Sequence, residues 1–448
     1  HERARDMIVL RDYQLPAVQA LIHTKRGICQ APAGSGKTII AAATLAKWAG
    51  PRKRLSRRKM KVAWIANTQE QCDQAKKALA TFTEITAFAD VTVCCFAAGM
   101  SLAPFDLVII DECHHIAAAE FRKIMEHAPQ WRWGFSATPT RADELANDVF
   151  QLIGPIVHIV ERTALVDAGQ LARARVIIHE PNQPDEFELK ITEHTESLFK
   201  RWRFGAQNAA NDMAIRTIRS LTSRSQAIDK AKLHSIIAEA GMTQDNAFIG
   251  VFSKFPKGHP NRSILWKMLI QLAEEEIESR ARWIACQKIG VFENKKRNAC
   301  IVEIASQHAN DSHLVIIGSI DHGTALQAQI PGSLVVHSKM GPKKRRDAIA
   351  AFSAGDLKTM IATSLADEGL DVPRANVLTL AAAGRSAAKA EQRTGRVLRS
   401  FHDKTHGTIH DFKDRQHKML LSQSMKRISL YKSLGYQIET ATTEGGLL

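Results

Sequence analysis

The sequence predicts an α/β protein with two parallel-sheet lobes and a mainly helical insertion. Short apolar strand patterns alternate with helical patterns over the first third of the chain and again over the last third, and the stretch between them is helical in pattern. Strands that alternate with helices form parallel sheets, because each crossover helix returns the chain to the same edge. The 448 residues are enough for two or three such cores.

Five parts are predicted along the chain. In the first lobe the strand candidates are VAWIANT, DVTVCCFAAG, DLVIIDE and RWGFSAT, and in the second they include VIIHE, LVIIG, LVVHSKM and the strand in DLKTMIATS. The final ETATTEGGLL is polar and expected to fray. The parts are a first lobe at 7–160, a crossover linker with the first strand of the second lobe at 161–191, a helical insertion at 192–292, a second lobe at 293–415 and a C-terminal helical tail at 416–448.

The charge balance favours a polyanionic partner. The chain has 61 Lys+Arg against 46 Asp+Glu, a formal net charge of +15. No apolar run approaches the ~18 residues that span a bilayer, and the N-terminus lacks the apolar core of a signal peptide, so we expect an intracellular protein without a membrane partner. The seven cysteines are scattered without a C-x-x-C, which supports neither a disulfide framework nor a zinc site.

A glycine-rich loop follows the first strand candidate, RGICQ, and precedes the alanine-rich helix pattern IIAAATLAKWA. The loop, APAGSGKT, departs from the pattern G-x-x-x-x-G-K-[ST] in having Ala31 at its first position. Gly34 and Gly36 allow backbone N–H groups to turn around phosphate oxygens at the positive end of the helix dipole. Lys37 would reach the β- and γ-phosphates, and Thr38 would hold Mg²⁺. A glycine turn without a ligand is the alternative.

An acidic pair follows another apolar strand candidate. The run FDLVIIDECHH places Asp111 and Glu112 at the carboxyl edge of a predicted parallel sheet, where open α/β folds bind ligands. Asp111 suits the outer coordination sphere of Mg²⁺, and Glu112 suits orienting and deprotonating an attacking water. Acidic pairs are common at strand ends, so the pair indicates a nucleotide site only together with the glycine loop.

Five segments resemble the motifs of superfamily 2 helicases. APAGSGKT, DECH, SATPTR, IATSLADEGLDVP and QRTGRVLR have the order and spacing of motifs I, II, III, V and VI, and they span roughly residues 10 to 400. The runs LRDYQLPAVQAL and GFSATPTRAD are similar to the DNA-directed branch that includes XPB, UvsW and RadD, whereas the D-E-A-D and H-R-x-G-R-x-G-R signatures of the RNA branch do not occur. The resemblance implies two RecA-like lobes with an ATP cleft between them, ATP and Mg²⁺ as cofactors, and DNA as partner.

The resemblance assigns roles to residues of the first lobe. Gln14 would read the adenine edge with its amide, and Arg11 or Tyr13 could stack on the ring, although a lone glutamine in an amphipathic helix is usually a surface residue. His114 would face the hydroxyls of Ser136 and Thr138, and these three residues would couple the nucleotide site to the nucleic acid. Arg141 would contact the nucleic acid itself.

The resemblance also assigns roles in the second lobe. Arg396 and Arg399 lie three apart, on one face of a helix, and would be arginine fingers that stabilise charge on the γ-phosphate, with Gln392 beside them. Thr363 and Ser364 would contact phosphates of the nucleic-acid strand. The full set of expected nucleotide-binding residues is Arg11, Gln14, Gly34, Ser35, Gly36, Lys37, Thr38, Asp111, Gly369 and Asp371.

Other segments have more than one interpretation. The basic runs PRKRLSRRKMK (Pro51–Lys61) and PKKRRD (Pro342–Asp347) could add nucleic-acid contacts or be solvated, and the first is predicted to be an exposed loop. In the insertion, SRSQAIDKAKLHSIIAEAGMTQ faintly resembles a helix-turn-helix. The run PDEFELK superficially resembles a metal-nuclease pattern, but its carboxylates are too close together, and a solvated strand or turn is the preferred interpretation.

Three functions remain open at this stage. The leading one is an ATP-dependent DNA helicase or branch-remodelling translocase in repair, recombination or phage replication. The second is a double-strand translocase within a restriction or defence complex, which separates no strands. The third is an ATP-gated clamp whose hydrolysis times the release of nucleic acid or of a protein partner.

Overall fold

The computed structural model contains two parallel β-sheets and a separate group of helices, in agreement with the predicted α/β class. Two compact units form the chain: His1–His179 with Ile301–Phe412 and Met425–Leu448, and Glu180–Cys300 with Lys413–Ser424. The residues that the structure describes are 10–32, 34–96, 101–114, 124–125, 127–137, 139, 146–181, 184–223, 225–363, 372–382, 384, 390, 393–395, 397–398, 401 and 404–441.

The first sheet has six parallel strands in the order β3-β2-β4-β5-β1-β6. Successive side chains of β4 alternate between two hydrophobic clusters, with Leu107 and Ile109 in one and Val108 and Ile110 in the other. This alternation is expected for a strand that is covered on both faces. The strands are β1 (Arg26–Gln30), β2 (Met60–Ala66), β3 (Ala89–Cys95), β4 (Leu107–Asp111), β5 (Trp131–Ser136) and β6 (Ile156–Ile159).

Five described helices accompany this sheet: α1 (Gln14–Ile22), α2 (Lys37–Ser56), α3 (Gln69–Thr81), α4 (Ile85–Phe88) and α5 (Ala146–Leu152). The prediction of an exposed loop over Pro51–Lys61 is wrong for its first half, because α2 continues through Pro51 to Ser56. The guanidinium of Arg52 lies 4.6 Å from the ring centre of Trp48 and 4.2 Å from that of Trp131. These contacts pack the last turns of α2 onto the lobe.

A short helix, α6 (Arg162–Asp167), leads from the first sheet to β7 (Arg173–His179) of the second. After β7 the chain enters the helical unit. The helices there are α7 (Pro184–Arg203), α8 (Ala206–Met213), α9 (Ile218–Thr222), α10 (Lys230–Glu239), α11 (Phe248–Ser253) and α12 (Pro260–Gln287), followed by a π-helical turn at Lys288–Phe292.

The run PDEFELK is helical, so its interpretation as a strand or turn is wrong. Pro184 is the first residue of α7, a position at which proline's fixed φ and missing N–H are tolerated. The helix-turn-helix hypothesis stays a prediction: α10 and α11 flank Gly241, but Phe248 and Val251 of α11 face the core of the helical unit. Within the described part of the chain, no helix is both long and apolar enough to cross a bilayer.

The second sheet has seven parallel strands in the order β13-β7-β12-β11-β8-β10-β9. The described helices that follow the π-helical turn are α13 (Lys295–Gln307), α14 (Ile320–Gln327), α15 (Pro342–Ala354) and α16 (Lys418–Ser433). The remaining strands are β8 (His313–Ile316), β9 (Leu334–Val336), β10 (Thr359–Ala362), β11 (Val377–Leu380), β12 (His406–Phe412) and β13 (Gln437–Thr440).

The C-terminal segment is more than the predicted helical tail. After α16 it forms β13, which pairs in parallel with β7 from Gln437↔Arg175 to Thr440↔Ile178. The guanidinium of Arg175 bonds both carboxylate oxygens of Glu439 across this pair. A four-residue polar strand has almost no periodicity of its own, and it forms here because β7 offers an open edge.

Candidate nucleotide-binding site

The glycine loop after β1 has a backbone that favours glycine. Gly34 and Gly36 have φ angles of 86° and 76°, in the left-handed region. A Cβ on Gly36 would lie 2.7 Å from Nε2 of Gln14. Gly36 is also the N-cap of α2 and has no side chain to bond the N–H groups of the first helical turn. This end of α2 is therefore suited to an anion.

Ser35 is fully buried in the same loop. Its carbonyl oxygen accepts hydrogen bonds from the Tyr13 hydroxyl at 3.1 Å and from Nε2 of Gln14 at 3.2 Å. Its own hydroxyl is buried without a hydrogen-bond partner among the residues the structure describes. Because burying an unbonded hydroxyl is unfavourable, the loop fits a ligand that brings hydrogen-bond acceptors, as a phosphate does.

The acidic pair lies beside Lys37. The Lys37 ammonium is 3.5 Å from Oε1 of Glu112, and it donates to the carbonyl of Ala31 at 3.3 Å. Glu112 has a φ of 46°, an uncommon conformation for a residue with a side chain. Its N–H donates to Oδ1 of Asp111 at 3.0 Å. Burial raises the pKa of Asp111 to about 6, and the neighbouring Glu112 carboxylate adds to this rise while Lys37 opposes it.

Side-chain contacts continue from the acidic pair through His114 to the end of β5. Nδ1 of His114 lies 2.9 Å from the Ser136 hydroxyl and 3.5 Å from Oε2 of Glu112. Both His114 and Ser136 are buried. The charged site and the start of motif III are thus joined by direct side-chain contacts. The role of His114 and Ser136 in coupling the nucleotide to nucleic acid stays a prediction.

Strand order brings these residues together. β5 lies between β4 and β1, with Asp111 opposite Phe135 and Gln30 opposite Ser136. The N–H of Ala31 also donates to the carbonyl of Ser136 at 3.0 Å. Because all the strands run in parallel, motifs I, II and III leave the sheet at one edge, the carboxyl edge.

The N-terminal motif contacts the glycine loop. Gln14 is only 4% exposed, and its Oε1 accepts from the N–H of Arg11 at 3.1 Å while its Nε2 donates to Ser35. The Arg11 guanidinium donates to the Tyr13 hydroxyl at 3.2 Å. Gln14 is therefore not a surface glutamine. Hydrogen bonding of adenine by Gln14 stays a prediction. Stacking of Arg11 or Tyr13 on the adenine ring also stays a prediction.

Part of the predicted site falls outside the described residues. Thr363 is described: it follows β10, and its N–H donates to the carbonyl of Val336 at 3.2 Å. Its contact with nucleic acid stays a prediction. The predicted residues outside the described part of the chain are Thr138, Arg141, Ser364, Gly369, Asp371, Gln392, Arg396 and Arg399.

Sequence reasoning missed two features of the site. The bond from Tyr13 to Ser35 joins the N-terminal motif to the loop, and only the position of Tyr13 beside Gln14 pointed to it. Gly134 in β5 leaves room for Cys113, because a Cβ at Gly134 would lie 2.9 Å from the Cys113 sulfur. A glycine inside a strand is the signal for such a close approach.

The side chains of the candidate site offer few ligands for Mg²⁺. Among the described residues, no group of three His, Cys, Asp or Glu side chains could hold a metal ion. An Mg²⁺ ion here would therefore depend on Thr38, Asp111 and phosphate oxygens of a nucleotide, which fits the usual preference of Mg²⁺ for few protein ligands.

Comparisons with known families match both lobes. Residues 7–99 and 96–141 match the family described as type III restriction enzyme, res subunit, and residues 288–401 match the helicase conserved C-terminal domain. The structure of Dbp5 from S. cerevisiae, bound to RNA and ADP BeF3, is similar in fold, with a TM-score of 0.52 and 12% identity over 96% of this chain and 89% of Dbp5.

Two relatives differ in how much of their length is matched. The DNA 3′-5′ translocase XPB2 of Sulfurisphaera tokodaii is 23% identical over 416 residues, which are 88% of this chain and 80% of that protein. A protein of Sulfolobus islandicus filamentous virus, named as a candidate helicase, is 26% identical over 329 residues, which are 73% of this chain. The chain spans only 46% of the viral relative.

The fold and the site define a nucleotide-binding protein with two RecA-like lobes. The match to the helicase conserved C-terminal domain implies the use of ATP and the binding of nucleic acid. The two family matches and the relatives named XPB and Rad25 support a resemblance to superfamily 2 helicases of the XPB branch.

Proposed function

We propose that this chain hydrolyses ATP to move on DNA and to remodel or unwind it. The observation that carries the proposal is the continuous set of contacts from Lys37 through Glu112 and His114 to Ser136. This set joins a phosphate-binding loop to the sheet edge at which motif III begins. A change at the phosphate could therefore alter the position of motif III, which a motor requires.

The residues of the first lobe have distinct tasks in the proposed reaction. The N–H groups at the start of α2 and the Lys37 ammonium hold the β- and γ-phosphates. Glu112 accepts a proton from the attacking water, and its left-handed backbone directs the carboxylate toward Lys37. Thr38 and Asp111 would hold Mg²⁺, which would supply positive charge against the phosphates.

The second lobe completes the proposed site. Arg396 and Arg399 would stabilise the charge that develops on the γ-phosphate, with Gln392 as a further catalytic residue. Gly369 and Asp371 would contribute to nucleotide binding. The two lobes close on ATP and reopen after hydrolysis, so each cycle shifts the nucleic-acid strand.

DNA is the proposed track, contacted mainly through its phosphates. The relative XPB2 is named a DNA 3′-5′ translocase, which supports DNA as the substrate and 3′-5′ as the direction. Thr363, Ser364, Thr138 and Arg141 would contact or sense the strand. Because a stepping motor must tolerate any sequence, affinity should depend on phosphates and fall steeply with salt.

Two assays test the proposal together. ATP hydrolysis is measured with and without single-stranded and duplex DNA, and strand displacement is measured on forks with 3′ or 5′ single-stranded arms. We expect DNA-stimulated hydrolysis and displacement from the 3′ arm. Hydrolysis that DNA and RNA leave unchanged would overturn the proposal, and stimulation by RNA alone would overturn DNA as the track.

A double-strand translocase without strand separation is the second candidate. The match of the first lobe to the res subunit of type III restriction enzymes favours it. Displacement of a third strand from a triplex, without unwinding of forks, would support this candidate over the first.

A further inference from the structure

Motif VI is bonded to the C-terminal end of the chain. Within QRTGRVLR, Thr394 is fully buried and its hydroxyl lies 3.2 Å from the hydroxyl of Tyr436. Val397 and Leu398 belong to the same hydrophobic cluster as Tyr431 and Tyr436. The segment 425–440, named here the C-terminal element, thus contacts motif VI by both a hydrogen bond and apolar packing.

Tyr436 also contacts the crossover segment. The guanidinium of Arg162, the first residue of α6, lies 4.8 Å from the centre of the Tyr436 ring. The Tyr436 ring also stacks on the Tyr431 ring, with centres 5.9 Å apart and an angle of 11°, and the backbone N–H of Tyr436 donates to the Tyr431 carbonyl at 3.0 Å. One fixed ring therefore contacts both motif VI and the crossover between the sheets.

A second bond from the C-terminal element reaches Gly384, which precedes motif VI in the sequence. Arg427 forms a buried ion pair with Asp411, with Nε and Nη2 at 2.8 and 2.9 Å from the two carboxylate oxygens. Its Nη1 donates to the carbonyl of Gly384 at 3.1 Å. The Tyr431 hydroxyl donates to Asp411 at 2.8 Å, which fixes the ion pair further.

We propose that Tyr436 and Arg427 are positioning residues for motif VI. Arg427 bonds Gly384 and Tyr436 bonds Thr394. In the sequence, Gln392 lies between these two bonded residues. Arginine fingers stabilise a transition state best when their positions are fixed before the reaction. The hydrogen bonds at Gly384 and Thr394 should therefore increase the rate of hydrolysis. The contact with Arg162 links Tyr436 to the crossover. The inference rests on the proposed function, since it assumes that motif VI serves ATP hydrolysis.

The test uses the hydroxyl pair, because an Arg427 substitution that breaks a buried ion pair can unfold the lobe. Tyr436→Phe and Thr394→Val each remove one hydroxyl and leave the ring or the branched side chain. Thr379→Val is the matched control: Thr379 is a fully buried threonine of the same sheet, and its hydroxyl lies 2.8 Å from Nε2 of His313. DNA-stimulated kcat, KM for ATP and the thermal unfolding temperature are measured for each variant and for the double variant.

We expect Tyr436→Phe and Thr394→Val each to lower kcat about threefold to tenfold, the worth of one hydrogen bond, with KM for ATP within about twofold. The double variant should lose no more than the larger single loss, because both changes remove the same bond. Thr379→Val should lower the unfolding temperature and leave kcat unchanged.

Two results would overturn the proposal in distinguishable ways. If the wild-type chain is DNA-stimulated but Tyr436→Phe keeps full kcat, or loses no more than Thr379→Val, the hydroxyl pair is structural only and the positioning role fails while the proposed function stands. If the wild-type chain has no nucleic-acid-stimulated hydrolysis, the proposed function fails and the positioning role with it.

Discussion

The carboxylate of Glu112 lies 3.5 Å from the ammonium group of Lys37, although the two residues belong to different motifs. The approach depends on the single strand, β5, between β1 and β4, and on the left-handed backbone of Glu112.

Replacement of the two charges should separate nucleotide binding from hydrolysis. Glu112→Gln keeps the size of the side chain and removes the proton acceptor, so we expect turnover to fall at least ~100-fold while a fluorescent ATP analogue still binds. Lys37→Ala should abolish both, because it removes a phosphate contact. Near-normal turnover in either variant would show that the site is assigned wrongly.

Two glycines with similar backbones should differ in their effect on nucleotide binding. Gly36→Ala and Gly169→Ala both place a side chain at positive φ, 76° and 66°, which costs about 1 kcal/mol in each case. Only at Gly36 does the added Cβ meet another group, Nε2 of Gln14; at Gly169 nothing lies within 4 Å. We expect a larger loss in unfolding temperature for Gly36→Ala, because its Cβ must displace the buried Gln14 side chain, and weaker ATP binding for that variant only. Equal nucleotide affinities would contradict a phosphate-binding role for the loop.

Loss of the His114–Ser136 hydrogen bond should uncouple hydrolysis from nucleic acid. Ser136→Ala removes the hydroxyl that lies 2.9 Å from Nδ1 of His114. We expect the ratio of DNA-stimulated to basal hydrolysis to fall about fivefold or more, since coupling between sites is typically of this size. Hydrolysis rates with and without saturating DNA measure this ratio. An unchanged ratio would limit the bond to a structural role.

A buried ion pair should matter more for stability than an exposed one in the same unit. Arg297 and Asp414 are both fully buried, 3.0 Å apart, in the helical unit, whereas Arg216 and Glu276 form an exposed pair at 3.3 Å. Asp414→Asn removes the carboxylate charge beside the buried Arg297 guanidinium, which costs about 3–5 kcal/mol. Glu276→Gln should change the unfolding temperature little. Equal effects in thermal unfolding would contradict this assignment.

Two buried histidines should make the second lobe sensitive to acid. Burial lowers the pKa of His313 to about 3 and that of His410 to about 2, and the neighbouring histidines add to both shifts. The unfolded chain therefore binds more protons than the folded chain below a pH of about 6.5, the ordinary value for histidine. The stability is fully present above that pH and falls as the pH drops, by roughly 1 kcal/mol per pH unit for each histidine.

The histidine prediction has a matched pair of variants. His313→Gln should weaken the fall in unfolding temperature between pH 7 and pH 5, because it removes one of the two titrating groups. His406→Gln, at an exposed position on β12, should leave the dependence as it is in the wild type. A pH dependence that both variants preserve would assign the acid sensitivity to other groups.

Most of the first lobe could be predicted because its signals are local. Strands such as LVIID are short apolar runs, and a loop with Gly34, Gly36 and Lys37 between a strand and a helix has few other uses. The errors fall where local signals were weak or misleading. Charge in the run from Pro51 indicated a loop, but packing of Arg52 on two tryptophan rings extends α2.

By itself, the sequence determined the α/β class, the order of the motifs and the residue types of the phosphate-binding loop and the acidic pair, since these depend on neighbours along the chain. Only the tertiary structure decided the approach of Glu112 to Lys37, the bond from Gln14 to Ser35, the addition of β13 to the edge beside β7 and the contact of Tyr436 with Thr394. Each of these joins residues far apart in the chain. Contacts of this kind depend on the order of the strands in the sheet and on which strand edges are unpaired. Local sequence periodicity predicts neither property.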